Sequence, residues 1–221
     1  MRNYIFDFNG TLFLDSWIHR IVWKRFLADR GHPITDAEFD KYVYGPGNDV
    51  IFRHFFGDSL TPEQVNALSE EKEAAYREFV LNDPKLKTLT PGAVEMLDML
   101  KARNIPCAVA TASIRSNVDF YMNELGLRRW FNDDHVFYMT GDIPGKPDPT
   151  LYLRTMERLG YVPRETTVVE DSLSGIRAAE AAGVGRIIAI DTTMGPEALS
   201  KVEAVDVAVH DFYGFERFLN D

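Results

Sequence analysis

The sequence predicts an α/β fold with a parallel sheet that is interrupted, after its first strand, by an all-helical insertion. A short apolar run at residues 4–6 leads into Asp7 and then into a turn at Gly10, which is typical of a buried parallel strand. Further strand-like runs alternate with helix-like segments from about residue 90 onward, and this alternation indicates βαβ units. Residues 16–80, which lie between these two parts, contain helical patterns and no convincing strand.

Composition limits the class of protein. The chain has 221 residues, of which 45% are apolar, and this suits one large domain or one domain with an insertion. The formal net charge of -10 is unfavourable for a nucleic-acid partner. No apolar stretch approaches the roughly 18 residues of a membrane span, and the N-terminus lacks the basic and apolar regions of a signal peptide. We therefore expect no nucleic-acid partner, no membrane association and, by default, a monomer.

Cys107 is the single cysteine of the chain. An internal disulfide is therefore impossible, which fits a reducing, cytoplasmic location. Cys107 lies in an apolar run, and we interpret it as a small buried core residue.

The insertion has the features of consecutive helices. Apolar residues recur at helical intervals over residues 17–27. Residues 35–38 and 61–64 each form a capping box, with threonine first and Glu or Gln three residues later. Pro62 would occupy the first helical position, where its missing donor costs nothing. The segment 63–80 is polar on one side, so we predict a helix whose polar side faces solvent.

The C-terminal part of the chain alternates between the two kinds of element. Strands are predicted at residues 106–111, 135–139, 166–170, 186–190 and 205–209. Helices are predicted at residues 93–103, 116–125, 149–159 and 174–182. The predicted organisation is therefore a core formed by residues 1–15 and 81–221, with residues 16–80 inserted as a helical domain.

Four groups of polar residues follow predicted strands. They are Asp7-Phe8-Asn9-Gly10-Thr11-Leu12, Ala110-Thr111-Ala112-Ser113, Gly145-Lys146-Pro147-Asp148-Pro149 and Glu170-Asp171-Ser172-Leu173-Ser174-Gly175-Ile176. Alone, each group is typical of a turn, a loop or a helix N-terminus. Ligands of open α/β sheets bind at the carboxyl ends of the strands, so the order and spacing of the groups together predict one site.

The four groups resemble the four motifs of the haloacid dehalogenase (HAD) superfamily, whose members are mostly phosphatases and phosphomutases. The fourth group continues through Ala178, Ala179, Ala182 and Gly183 and resembles the β-phosphoglucomutase-like branch. The resemblance covers essentially the whole chain. It implies a Rossmann-like parallel sheet core with a helical cap domain inserted after the first strand. The sequence departs from the family pattern at Asn9, where the family has a second aspartate.

The resemblance implies a magnesium-dependent hydrolase that acts on a small phosphorylated metabolite. Asp7 matches the family's nucleophile, which forms an aspartyl-phosphate. Glu170 and Asp171 match its Mg²⁺ ligands, and Asp7 and the backbone carbonyl of Asn9 complete that set. Elementary chemistry agrees, because a doubly anionic phosphate repels a carboxylate unless cations offset the charge. Mg²⁺ prefers oxygen ligands of this kind.

Other matches concern the substrate. Thr111 matches the family residue that hydrogen-bonds the transferred phosphoryl group. Lys146 matches the lysine that pairs with the nucleophile and the phosphate. Ser113 and Arg115 lie just beyond Thr111 and are candidates for contact with the substrate.

The insertion offers weaker candidates. His19 and Trp23 lie where the β-phosphoglucomutase-like branch often has a histidine and an aromatic residue, and we consider that His19 couples cap closure to chemistry. Arg53, together with Lys41 and Asn48, is a candidate to reach the substrate. For each of these side chains, packing or solvent exposure is the competing interpretation.

Asn9 raises the main question about activity. By resemblance its position is that of the general acid/base, but an amide cannot transfer that proton at neutral pH. General acid catalysis is worth typically about 10²–10⁴-fold in rate. The first hypothesis is therefore a phosphatase of low activity, or one suited to good leaving groups such as those of acyl and aryl phosphates.

Two alternatives remain open. The first is a non-catalytic or regulatory protein that binds phosphate esters. The second is an enzyme in which Asp7 acts on a carbon centre, as in dehalogenases, or a phosphonatase type, which forms a Schiff base on a cap lysine. Lys24 and Lys41 are the candidate lysines for that last chemistry. Fold alone does not choose among these functions.

Overall fold

The computed structural model describes residues 3–140, 143–190 and 196–219. The chain forms two compact units. The first, here called the core unit, consists of Met1–Leu14 and Thr88–Asp221, and the second, the inserted unit, consists of Asp15–Lys87.

The inserted unit extends beyond the boundary that the sequence placed after residue 80. The helix Pro62–Leu81 crosses that boundary, and the short 3₁₀ helix Pro84–Leu86 that follows contacts it. The end of the apolar helical pattern at residue 80 therefore placed the boundary too early, because the residues that follow it still pack within the inserted unit.

A parallel sheet forms the centre of the core unit. In the described part of the chain its strands are β1 (Asn3–Phe6), β2 (Cys107–Thr111), β3 (Val136–Tyr138), β4 (Thr166–Glu170), β5 (Arg186–Ile190) and β6 (Val207–Val209). They lie in the order β3-β2-β1-β4-β5-β6, and every neighbouring pair is parallel. The predicted α/β fold is confirmed. The edge strands β3 and β6 are shorter than predicted, because each has a hydrogen-bonded neighbour on one side only.

Strand β1 lies in the interior of this sheet. Its residue Ile5 is fully buried and pairs with Ala108 of β2 on one side and with Val168 of β4 on the other. Burial of such a side chain stabilises the fold by roughly 1.5–3 kcal/mol. This position explains why the strand is apolar on both faces, and it places Asp7 at the carboxyl edge of the sheet.

Helices occupy the rest of both units. The inserted unit has α1 (Ser16–Ala28), α2 (Asp36–Tyr42), α3 (Asn48–Phe56) and α4 (Pro62–Leu81), and the core unit has α5 (Ala93–Ala102), α6 (Arg115–Glu124), α7 (Thr150–Leu159), α8 (Leu173–Ala181) and α9 (Pro196–Leu199). The predicted helices of the core agree with α5 to α8 to within one residue at each end, whereas α9 lies outside them. Among the described residues, no helix combines the length and apolar character needed to cross a bilayer.

The two faces of the sheet are covered differently. On one face, small residues of α8 such as Ala178 and Ala179 are fully buried in the same cluster as Ile5 and Tyr152. The opposite face carries a chain of aromatic contacts among Tyr4, Phe6, Phe212, Phe215 and Phe218. Alternate residues of a strand point to opposite faces, so β1 contributes to both layers.

The inserted unit is an all-helical body with its own aromatic core. Both predicted capping boxes are present: Thr35 with Glu38 begins α2, and Thr61 with Gln64 begins α4. Its core contains buried aromatic side chains from several helices, namely Trp23, Phe26, Phe39 and Phe52. Each capping box satisfies two of the backbone donors that a helix start leaves unpaired.

Helix α4 corrects one prediction. Its polar side was expected to face solvent, but Ser69, Lys72 and Glu73 are buried. Lys72 Nζ lies 2.7 Å from Glu73 Oε1 and 2.9 Å from Nδ1 of His19. Charged side chains are almost never fully buried unless they are paired, and here the pair forms within one turn of the helix.

Candidate active site

The ends of three neighbouring strands bring the candidate residues of the core unit together. Asp7 follows β1, Thr111 ends β2 and Glu170 ends β4. Because β2, β1 and β4 are adjacent and parallel, their carboxyl ends lie at the same edge. This is the edge at which open α/β sheets bind ligands.

The turn after β1 depends on a glycine. Gly10 has φ of +80°, and a Cβ atom there would overlap the carboxylate of Asp171. Thr11 Oγ1 also donates a hydrogen bond to Asp171 Oδ1 at 3.4 Å. The first and fourth motifs, which lie far apart in sequence, are thus in direct contact.

Three buried carboxylates form a group that fits a divalent cation. Asp7, Glu170 and Asp171 each offer one oxygen atom, and these oxygens lie within 4.8 Å of one another. Hard oxygen donors at this spacing are what Mg²⁺ prefers. Buried like charges this close repel, and positive charge is required to keep them ionised. The donor set therefore fits a magnesium ion.

Lys146 supplies positive charge from the protein itself. Its Nζ donates to Asp7 Oδ1 at 2.6 Å and to Glu170 Oε1. Burial alone would lower the pKa of Lys146, but the carboxylates of Asp7 and Glu170 outweigh it and hold that pKa well above its ordinary value. The ammonium group is therefore a permanent cation beside Asp7.

Glu170 is anchored by several donors. Its Oε2 accepts from the backbone N–H groups of Asp171 and Ser172 and from the Ser172 hydroxyl, each at 3.0 Å. Its Oε1 accepts from the hydroxyl of Tyr152 at 2.9 Å. Burial alone would raise the pKa of Glu170, but Lys146 and these hydrogen bonds lower it. Glu170 is thus a fixed anion that orients Lys146.

Tyr152 was not predicted as part of the site. It is fully buried on α7, and its ring lies 4.9 Å from Lys146 Nζ. Burial, followed by the charge of Glu170, raises the pKa of Tyr152 well above its ordinary value. A tyrosine at a buried helix position resembles any aromatic core residue in sequence, and only its contact with Glu170 distinguishes it.

Asn9 belongs to a second, neutral cluster. Its Oδ1 accepts from Ser113 Oγ at 2.7 Å and from Thr111 Oγ1 at 3.2 Å. Its Nδ2 donates to the hydroxyl of Tyr121 at 2.9 Å. The structure thus joins three predicted site residues, and it adds Tyr121, which the sequence did not single out.

Arg115 is engaged at the protein surface. Its Nε donates to Asp119 Oδ1 at 2.8 Å and its Nη1 to the hydroxyl of Tyr138 at 3.3 Å. Hydrogen bonds to Tyr138 and Asp119 raise the pKa of Arg115. These contacts hold the Arg115 side chain at the surface, and its contact with the substrate stays a prediction.

The predicted residues of the inserted unit contact residues within that unit. His19 Nδ1 lies 2.9 Å from Lys72 Nζ, and its ring stacks on Tyr76 at 4.2 Å between centroids. Arg53 donates to the backbone carbonyls of Asp58 and Leu60, at 2.8 and 2.9 Å. These two bonds give Arg53 a structural role in the turn after α3.

Comparisons with known proteins agree with this geometry. A protein-family model described as haloacid dehalogenase-like hydrolase matches residues 1–183. The phosphorylated carbohydrates phosphatase of Thermotoga maritima is 31% identical over 195 residues, which cover 86% of this chain and 85% of that protein.

Solved structures show the same fold. The HAD hydrolase of family IA, variant 3, from Entamoeba histolytica has a TM-score of 0.87 and 33% identity, covering 96% of this chain and 94% of that chain. The β-phosphoglucomutase of Clostridium difficile has a TM-score of 0.81 and 21% identity, covering 99% of this chain and 95% of that chain. At this level of identity the similarity concerns the fold only. The chain therefore belongs to the haloacid dehalogenase-like hydrolase family.

Proposed function

We propose that the protein is a magnesium-dependent phosphatase that hydrolyses a small phosphorylated metabolite through an aspartyl-phosphate on Asp7. The observation that carries this proposal is the buried group of Asp7, Glu170 and Asp171, with Lys146 bonded to Asp7. A reactive carboxylate beside a permanent cation and a cation-binding oxygen set suits attack on an anionic phosphoryl group. The similarity to a phosphatase supports removal of a phosphoryl group as the class of reaction.

The proposed reaction has two displacements. In the first, a carboxylate oxygen of Asp7 attacks phosphorus, and the electron pair of the broken P–O bond leaves with the departing oxygen. In the second, water attacks the phosphorus of the aspartyl-phosphate, loses a proton to solvent and restores the Asp7 carboxylate. Lys146 holds Asp7 in place and offsets the negative charge that the phosphate brings.

Other residues of the core unit orient the reactants. Glu170 and Asp171, with Asp7, would hold Mg²⁺, which when bound supplies further positive charge against the phosphate. Thr111 carries a hydroxyl group next to Asn9, and we propose that this hydroxyl turns to donate to a phosphoryl oxygen when the substrate binds. We further propose that the inserted unit carries the substrate specificity.

The test measures phosphate release from acetyl phosphate and p-nitrophenyl phosphate, with and without Mg²⁺. Asp7→Asn removes the nucleophile and keeps the shape of the side chain. Asp133→Asn is the matched control, because Asp133 is an exposed carboxylate of the core unit that pairs with Arg128. We expect magnesium-dependent release from the parent and the control, and only background release from Asp7→Asn. Release that persists in Asp7→Asn would refute the proposal.

A binding protein is the second candidate, and the neutral amide at Asn9 favours it. Calorimetry with inorganic phosphate distinguishes this function from the first. Phosphate binding without turnover of either substrate would support a binding role.

The phosphonatase type receives less support from the structure. A Schiff-base lysine is activated by a lowered pKa, but a hydrogen bond to Tyr42 raises the pKa of Lys41. Lys24 donates to Asp36 at 2.9 Å and is held by that carboxylate. Each of these lysines is thus engaged by a neighbouring side chain of the inserted unit.

A further inference from the structure

The neutral cluster around Asn9 contains a closed ring of hydrogen bonds. Asn9 Nδ2 donates to the Tyr121 hydroxyl at 2.9 Å, and Ser113 Oγ donates to Asn9 Oδ1 at 2.7 Å. The ring closes between Ser113 Oγ and the Tyr121 hydroxyl, which lie 3.1 Å apart. Tyr121 is buried and its ring stacks on Phe8 at 4.1 Å between centroids, so its hydroxyl has a fixed position.

The direction of the last bond follows from the first two. A serine hydroxyl has one hydrogen, and Ser113 gives it to Asn9. Tyr121 therefore donates to Ser113 while it accepts from Asn9. Each member of the ring donates once and accepts once within it, and residue 9 must offer both a donor and an acceptor.

A carboxylate at position 9 would not complete this ring. An ionised carboxylate only accepts, so Tyr121 and Ser113 would both turn their hydrogens toward it, and the bond between them would be lost. A protonated carboxyl could replace the amide, but its hydrogen would point at Tyr121 and not at a substrate. The ring therefore needs a donor and an acceptor at position 9, which an amide supplies, and it directs one N–H of Asn9 at Tyr121.

We infer that Asn9 is a positioning residue, fixed by Tyr121 and Ser113, and that the site accepts phosphoryl groups only from leaving groups that depart without a proton. This inference rests on the proposed function. In the first displacement, the P–O bond breaks and the electron pair stays on the leaving oxygen, which departs as an anion. Carboxylates and phenolates are stable as anions, whereas alkoxides are not. The substrate class is therefore acyl or aryl phosphates.

The first experiment compares leaving groups at constant pH with Mg²⁺ present. Acetyl phosphate, p-nitrophenyl phosphate, phenyl phosphate and glycerol 2-phosphate form the series. We expect kcat/KM to fall steadily as the leaving group becomes more basic. The alkyl ester should be slower than acetyl phosphate by at least about 10²-fold, the smallest factor that a general acid typically supplies.

The second experiment tests the ring itself. Asn9→Asp alone should raise the rate on glycerol 2-phosphate by less than about tenfold, because the new carboxyl remains bonded to Tyr121. Adding Tyr121→Phe removes that hydroxyl and should release the carboxyl, so the double variant gains at least a further factor of about ten, within the range of general acid catalysis. Tyr121→Phe alone supplies no acid and should leave the alkyl ester unreactive.

A readout without turnover separates positioning from general damage. In the parent, the side-chain amide hydrogens of Asn9 should exchange slowly with solvent in nitrogen-15 NMR spectra, and Tyr121→Phe should make them exchange faster. Tyr4→Phe is the matched control, because it removes another buried tyrosine hydroxyl of the core unit, one that donates to the carbonyl of Phe218 at 3.1 Å. It should leave both the Asn9 signal and the leaving-group series unchanged.

The outcomes separate the inference from the proposed function. Equal rates on alkyl and acyl phosphates, both abolished in Asp7→Asn, would overturn the inference and leave the phosphatase standing. A full gain from Asn9→Asp without the second change would also overturn it. No phosphate release from any ester would overturn the proposed function together with the inference.

Discussion

Replacement of Lys72 by methionine should destabilise the inserted unit strongly. The Lys72 and Glu73 side chains are 1% and 7% exposed, and the ion pair joins them at 2.7 Å. Removing one partner of a buried ion pair costs about 3–5 kcal/mol, because the other charge remains buried without it. Asn48 Nδ2 also donates to Glu73 Oε1, at 3.2 Å, so we expect a loss of about 3 kcal/mol, at the lower end of that range.

The double variant separates the pair from simple loss of packing. Lys72→Met with Glu73→Leu removes both charges. Asn48 and His19 lose a partner but are partly exposed, so each can bond to water. Replacing a buried pair by apolar residues is often neutral or stabilising. We therefore expect the free energy of unfolding of the double variant to differ from that of the parent by less than about 1 kcal/mol.

Urea unfolding followed by tryptophan fluorescence is a suitable assay, because Trp17 and Trp23 both belong to the inserted unit. Lys24→Met is the matched control. It removes a lysine that pairs with the exposed Asp36, and exposed pairs contribute little. A loss below about 1 kcal/mol for Lys72→Met, or additive losses in the double variant, would refute the reasoning on burial.

Three further changes test other features of the core unit. Thr167→Val should raise the free energy of unfolding in urea by about 1 kcal/mol, because Thr167 Oγ1 is buried and, among the described residues, has no hydrogen-bond partner; a loss of stability would contradict this. Burial raises the pKa of the Cys107 thiol from 9.0 to about 11, which lowers the thiolate fraction at pH 8 by about 100-fold. Cys107 should therefore react slowly with a thiol reagent until urea unfolds the protein, and rapid labelling of the folded protein would count against it. Gly175→Ala places a Cβ atom on the carboxylate of Glu170, so phosphate release should fall and Mg²⁺ binding, measured by calorimetry, should weaken; unchanged binding would show that Glu170 can move aside.

Local sequence determined much of the fold. Strands β1, β2, β4 and β5 are four or five residues long with an apolar centre, and these short runs predicted them because interior parallel strands are buried on both faces. The capping boxes at Thr35 and Thr61 depend only on residues three positions apart, and the structure has both. The motif residues at strand ends were predictable for the same reason, since the carboxyl ends of parallel strands share one edge.

The domain boundary and the side-chain partners that depend on distant residues were harder to predict from the sequence. The inserted unit ends later than predicted, because packing after α4 and not the helical pattern sets its limit. From their position in sequence, Arg53 and Arg115 were candidates for contact with the substrate. In the structure, neighbouring carbonyls and a carboxylate engage their guanidinium groups.

The sequence by itself determined the α/β class and the inserted helices, and it predicted the candidate site residues Asp7, Lys146, Glu170 and Asp171. Only the tertiary structure decided which polar side chains lie inside. Tyr121 is 112 residues away from Asn9 in sequence, yet the two share a hydrogen bond. Lys72 looks like any surface lysine until its surroundings are known. The physical reason is that burial and pairing arise between chain segments that meet only on folding. The hydrophobic pattern within one segment does not predict these contacts.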